Sequence, residues 1–309
     1  MKVHLDTDIG GDIDDLCALA LLLAWPDVEI VGVTTVAEHA GKRAGYVRYA
    51  LALAGRTGVP VAAGADVRIG RFVLGTDLPP EHRYWPQPVP AAPGPLAAAL
   101  DLLERSIDQD ALVVAIGPFT NLACLEHRSP GILRTARLCL MGGSIFPGHP
   151  DFPAWTYADD YNVQADPAAA RDVLEAATTT LVPIQMTAQT ALRRAHLAPL
   201  ADCGPLGSLI AHQARAFAAE WDNAERYVKE CPGVPADLIN FQHDPLACAV
   251  ALGWDGVEVR EVRLALEMRA GCLVATVDDA GRPHRVVTAV DGPSFNAFWL
   301  AHMQRLSSA

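Results

Sequence analysis

Five aspartates fall within ten residues near the start of the chain, in the run Asp6-Thr7-Asp8-Ile9-Gly10-Gly11-Asp12-Ile13-Asp14-Asp15. Carboxylates this close repel one another, and burying several without a counterion is prohibitive. One or two of them could cap a following helix from a solvated loop. A helix needs one cap, however, and the surplus points to hard oxygen ligands gathered for a divalent cation, with Gly10 and Gly11 allowing a tight backbone path. Oxygen-only donors favour Ca2+ or Mg2+ over zinc or copper. No glutamate closes a twelve-residue loop here, so further ligands must come from elsewhere in the chain. The best donor is His243-Asp244-Pro245, a second acidic point ahead of the apolar helix expected over Leu246 to Leu252.

The elements that must position these groups follow from hydrophobic patterning. Val3-His4-Leu5 is an apolar run entering the acidic loop, and Leu16 to Trp25 reads as an Ala/Leu-rich helix. Val28 to Val36 is dense in Val and Ile with little alternation, as a strand buried on both faces would be. Helices expected over Gly45 to Ala54, Leu96 to Ser106 and Pro167 to Ala177 alternate with strands over Pro60 to Gly64, Ala111 to Ile116, Arg137 to Met141 and Thr179 to Pro183. Residues 70 to 95 hold seven prolines and read as an irregular excursion. Val257 to Ala309 reads as a short β-rich element with a closing helix over Ser294 to Leu306. Strand and helix alternate at the spacing of βαβ crossovers, which predicts a mostly parallel sheet covered by helices. Ligands bind outside the carboxyl ends of such strands. The motifs that carry chemistry fall there, after Leu5, Val36, Ile116 and Met141. No linker interrupts the pattern, so one α/β domain over residues 1–309 is expected.

The composition sets outer limits. With 51% hydrophobic and 19% charged residues the chain can bury a sizeable core. A net charge of −12 argues against a nucleic-acid partner, which needs clustered Lys and Arg. The seven cysteines lack any C-x-x-C pair and read as buried thiols of a reducing compartment. No apolar stretch is long enough for a membrane span, so a cytoplasmic protein is expected.

The motifs, taken in order, resemble the inosine-uridine preferring nucleoside hydrolase family. The opening Asp6-Thr7-Asp8-Ile9-Gly10…Asp14-Asp15 is similar to the family's aspartate signature, with two extra residues in the loop (Gly11 and Asp12, or Asp12 and Ile13). Thr34-Thr35-Val36, Gly117-Pro118-Phe119-Thr120-Asn121-Leu122 and Met141-Gly142-Gly143 match later strand ends. Asp160-Tyr161-Asn162…Asp166-Pro167, Val182-Pro183 and His243-Asp244-Pro245-Leu246-Ala247 complete the series.

That resemblance implies a Rossmann-like, mostly parallel mixed sheet with helices on both faces, and hydrolysis of a ribonucleoside to free base and sugar with bound Ca2+. It implies Asp8, Asp15, Asp244 and the main-chain carbonyl of Thr120 as metal ligands. Asp14, Asp160, Asn162 and Asp244 would face the ribose, His39 the wall between sugar and base, and His243 the leaving base. Homodimers or homotetramers are also implied. Cleavage of a sugar–nitrogen bond passes through an oxocarbenium-like state, which carboxylates around the ribose stabilise selectively. Asp8 is expected to take a proton from the attacking water as general base, and His243 to serve the departing base. Tyr227 and Trp221 precede His243 and could line the base pocket, although packing on a helix face explains them equally. Trp155 and Tyr157 stand in the same position relative to the ribose motif.

Departures from the family pattern bear on substrate. Glu38-His39 replaces Gly-Asn, Ala154 replaces an asparagine, Asp160 is one methylene shorter than the usual glutamate, and Val182-Pro183-Ile184-Gln185-Met186-Thr187-Ala188 replaces Val-Pro-x-Asp-Val-Thr-His. An intact metal set with an altered sugar wall suggests a modified riboside or an unusual base. Two other classes compete. An aspartyl-phosphate phosphohydrolase needs a lysine to balance phosphate, and neither Lys42 nor Lys229 sits at an obvious strand end. A sugar-binding homologue without catalysis would keep the metal but release no base.

Overall fold

The computed structural model describes residues 1–66 and 78–308. Its centre is a nine-stranded sheet, built from β1 (Lys2–Thr7), β2 (Glu29–Thr35), β3 (Val61–Ala63), β4 (Leu112–Ala115), β5 (Arg137–Met141) and β6 (Thr180–Val182), with three later strands. A two-stranded antiparallel pair, β7 (Ala191–Arg193) and β8 (Leu238–Phe241), stands apart from it. The later strands are β9 (Val257–Arg269), β10 (Cys272–Val277) and β11 (Arg282–Val290). The sheet runs β10-β9-β11-β6-β5-β4-β1-β2-β3. Neighbours from β3 to β11 are parallel, while β9 pairs antiparallel with both β11 and β10. The expected mostly parallel mixed sheet is therefore present.

Alternation within the parallel strands explains why they read as unbroken apolar runs. On β4, Leu112 and Val114 join one core while Val113 and Ala115 join the other. On β5, Cys139 and Met141 face the first core, Leu138 and Leu140 the second. The first core contains Leu16–Leu22, Leu246–Ala249, Phe295 and Trp299, and the second Leu100, Leu122 and Val173. Both faces are thus covered by helices, as a parallel sheet requires.

The order β3-β2-β1-β4-β5-β6 reverses direction between β1 and β4. At such a switch point the loops leaving two adjacent strands diverge and open a crevice at their carboxyl ends. The acidic run leaves β1 there, and Gly117–Thr120 leaves β4.

Several boundaries differ from expectation in ways that matter. The first helix is Asp14–Ala24, so Asp14 and Asp15 lie in its first turn, not in the loop before it. The second is Lys42–Leu53, starting three residues earlier than its apolar pattern, which brings Arg43 onto it. The late helix is His243–Ala251, which again draws its acid, Asp244, into the first turn. In all three, polar residues that serve the crevice masked the true start. The C-terminal stretch is no short appendage: β9 to β11 extend the main sheet, and the closing helix is Gly292–Met303. Of the proline-rich stretch, residues 70 to 77 lie outside the described residues, and the rest holds one short helix, Glu81–Tyr84. The long helix Gly204–Trp221 and the β7–β8 pair have no counterpart in the sequence reading. Among the described residues no helix is long and apolar enough to cross a membrane, and all seven cysteines are free thiols.

Candidate active site

Asp14, Asp15 and Asp244 each offer a carboxylate oxygen within 4.8 Å of the others, and all three are buried. Two helix N-termini bring them together, one following β1 and the other following β8, and those N-termini favour negative charge. The Asp244 main-chain N–H donates to Asp14 Oδ2 at 3.3 Å, and Thr7 Oγ1 donates to Asp15 Oδ1. Burial, then mutual repulsion, raises all three carboxyl pKa values well above the ordinary range. For Asp14 the repelling charges are chiefly Asp12 and Asp15, for Asp15 chiefly Asp8, and for Asp244 chiefly Asp14 and Asp15. Three buried, mutually destabilised oxygen donors fit a hard divalent cation.

The five N-terminal aspartates divide into different roles. Asp6 is fully buried and serves as a knot: its Oδ1 accepts from Thr34 Oγ1 at 2.5 Å and from Asn121 Nδ2 at 2.7 Å, tying β1 to β2 and to the segment after β4. Asp12 lies at the exposed rim, where Asn240 Nδ2 donates to it at 2.6 Å. Asp8 is outside the close trio, yet its charge acts on Asp15, Asp14 and Asp244. Its carboxylate lies against Gly117, where a Cβ would meet Asp8 Oδ1 at 2.7 Å, so the β4 turn must carry glycine. Gly10 is likewise required, with φ +106 and a Cβ that would come within 2.6 Å of Tyr46. Gly11 carries no such demand.

The residues expected to face the sugar are held largely by the main chain. Asp160 accepts from Gly143 N at 2.5 Å and from Val163 N at 3.2 Å, capping the short helix Tyr161–Ala165. Burial raises its pKa to about 6 against those hydrogen bonds. Asn162 Nδ2 donates to the carbonyls of Ile116, at 2.9 Å, and Met141, at 3.1 Å, bridging the ends of β4 and β5. Thr120 begins the helix Thr120–Arg128, and its hydroxyl donates to Asp166 at 2.8 Å. His39 is half-buried after β2.

On the other side His243 joins an aromatic group. Its ring lies 5.6 Å from Trp155 and 5.8 Å from Phe241, and Tyr227 stands edge-on to both at 5.8 and 5.4 Å. Tyr227 thus belongs to this wall at one remove, whereas Trp221 is 55% exposed and contributes nothing to it. Burial lowers the His243 pKa to about 4, so the ring is neutral near pH 7. Thr187 Oγ1 lies 3.0 Å from the Ile184 carbonyl and 2.6 Å from His243 Nδ1, so the hydroxyl orients one edge of the ring, with donor and acceptor set by the ring's tautomer.

The roles of two further residues escaped the sequence reading. Glu38, 4% exposed, accepts from the N–H groups of His39, Gly41 and Ala44 and from Thr35 Oγ1, so it caps the second helix and braces the β2 turn. Arg43 is fully buried; Nε donates to the Ala37 carbonyl at 2.7 Å, and Nη1 donates to the carbonyls of Asp8 and Ile9, the latter at 2.9 Å. An arginine two residues before the expected helix start at Gly45 carried no periodic signal.

Comparisons with known proteins agree with this architecture. Over 214 residues the chain is 32% identical to the pyrimidine-specific ribonucleoside hydrolase RihA of Enterobacter sp. (strain 638), covering 64% of this chain and 62% of that one. The matched region thus spans less than two thirds of that relative. A purine-preferring ribonucleoside hydrolase from Gardnerella vaginalis superposes with a TM-score of 0.78 at 21% identity, covering 100% of both chains. A plant nucleoside hydrolase superposes at 0.74 with 20% identity, covering 100% of this chain and 99% of that one. The profile of the inosine-uridine preferring nucleoside hydrolases matches residues 3–297, and the chain belongs to that family.

Proposed function

We propose that the chain is a calcium-dependent N-ribosidase, hydrolysing the N-glycosidic bond of a ribonucleoside to free base and sugar. The observation that carries this is the convergence of Asp14, Asp15 and Asp244 at the switch-point crevice. Asp15 and Asp244 would hold the ion, with Asp14 within reach, Asp8 approaching from the β4 side and the Thr120 carbonyl completing the set. When bound there, calcium acidifies water and holds the vicinal hydroxyls of ribose.

The chain's own residues supply the rest. Asp8, whose pKa burial raises while the Arg43 charge lowers it, accepts the proton of the attacking water. The remaining carboxylates stabilise the cationic sugar as the bond to the base breaks. Neutral His243, with Trp155, Phe241 and Tyr227, forms an apolar wall for a planar base, and a neutral ring is too weak an acid to protonate the departing nitrogen, which leaves that proton to water or another group. With the Asp160 oxygens and the Asn162 amide hydrogens engaged by the main chain, the sugar wall offers fewer free groups, which supports a riboside with a modified hydroxyl or an unusual base. A reducing-sugar assay over purine, pyrimidine and 2′-modified nucleosides, with and without a chelator, tests the reading. Chelator-sensitive release of sugar is expected, and binding without release would favour a non-catalytic homologue.

A further inference from the structure

Arg43 is a fully buried charge that takes no direct part in the proposed chemistry. Among the described residues no other lysine or arginine is buried. Among the described residues its guanidinium has no carboxylate partner at ion-pair distance and Nη2 has no hydrogen-bond partner; instead the group is spread over three main-chain carbonyls of two segments, Ala37 after β2 and Asp8 and Ile9 after β1. An unpaired cation in a protein interior is costly unless its surroundings carry compensating negative potential. Here that potential comes from the acidic run, since the Arg43 charge acts on both Asp8 and Asp15.

We propose that Arg43 is a positioning residue of the cation centre, whose forked guanidinium ties the Asp8–Ile9 main chain to the Ala37 turn and so fixes the side from which Asp8 faces Asp15. Three features make this more than loop packing. The two carbonyls it holds, Asp8 and Ile9, lie at the point where the chain turns through Gly10 at φ +106. The same helix that carries Arg43 is anchored by Glu38, so the guanidinium is mounted on a braced element. A planar fork holds acceptors on two segments in a fixed relative geometry, which the single nitrogen of an ammonium of the same charge does not impose.

The inference rests on the calcium reading above, and the two are separable, because wild-type calcium binding tests that reading while a variant tests this one. In Arg43→Lys the charge remains and the fork is lost. We expect a folded protein by circular dichroism with calcium affinity, measured by titration calorimetry, weakened roughly tenfold or more. At saturating Ca2+ a lost alignment of about an ångström lowers kcat by about 100-fold, while KM moves little because Arg43 is fully buried. An Arg43→Lys enzyme with wild-type calcium affinity and kcat overturns the proposal, as does one that loses stability alone. Hydrogen exchange on the wild-type protein reads the coupling even if that variant fails to fold. Adding Ca2+ should slow amide exchange in the segment 37–44 together with 8–15. Slowing confined to 8–15 and the Asp244 helix overturns it.

Discussion

The Asp14 carboxylate accepts the main-chain N–H of Asp244 at 3.3 Å, joining residues 230 positions apart in the chain. The first helix follows β1 and the late helix follows β8, and their first turns meet through Asp14, Asp15 and Asp244. Packing alone cannot neutralise the carboxylates that meet there, so folding and cation binding should be linked.

Calcium is therefore expected to stabilise the fold. At a free-ion concentration 100 times its dissociation constant the gain is about 2.7 kcal/mol, or roughly 5 °C in midpoint for a chain of this size. Scanning calorimetry with and without chelator measures it, and an unmoved midpoint would count against linkage.

Asp8 should separate from the trio in its effects. Replacing a general base costs about 100- to 10,000-fold in rate, so Asp8→Asn is expected to lose that much kcat. Its loss of calcium affinity should be smaller than that of Asp15→Asn or Asp244→Asn. Equal affinity losses in all three would place Asp8 as a ligand on the same footing.

Glu38 is a structural acid beside a functional site. It gathers three main-chain N–H groups and one hydroxyl, and Glu38→Gln replaces one acceptor oxygen with a donor. Leaving buried donors unmatched costs about 1–3 kcal/mol each. Urea unfolding should show a loss of that order, and a variant as stable as wild type would remove this role.

Buried neutral histidines give the pH dependence. Burial lowers the His284 pKa to about 4; Nδ1 accepts from Thr179 N at 3.4 Å, and among the described residues Nε2 has no hydrogen-bond partner. The unfolded chain binds a proton near pH 6.5 that the folded chain refuses, so this contribution to stability is complete above pH 6.5 and is lost as pH falls toward 4. Measured against His284→Gln, the wild-type protein should lose ground over that window. A pH-independent difference would show that the ring titrates normally in the folded protein.

Much of this site was legible because its chemistry is concentrated. Five aspartates after one strand and a sixth before a distant helix signalled an oxygen-ligand centre, and the parallel sheet followed from unbroken Val/Ile runs. The finer roles were hidden. Whether an aspartate belongs to the loop or to the first turn of a helix depends on backbone hydrogen bonds that no side-chain pattern reveals, as with Asp14 and Asp15. Asp6, equal to its neighbours in sequence, turned out to be a knot because Thr34 and Asn121 reach it from two other segments. Glu38 looked like a change in the substrate wall, yet its carboxylate is consumed by the backbone. Arg43 and Thr187 act through contacts that arise only on folding.

The central claim is that acids from both ends of the chain form a single cation site. Titration calorimetry of Ca2+ into chelator-stripped wild type and Asp244→Asn protein tests it most directly. One saturable site per chain in the wild type, abolished or weakened at least about 100-fold when the partner carboxylate at 244 is lost, is the predicted result, since truncating a ligand removes both charge and coordination. No saturable calcium binding by the wild type, or binding that ignores the change at 244, would contradict it.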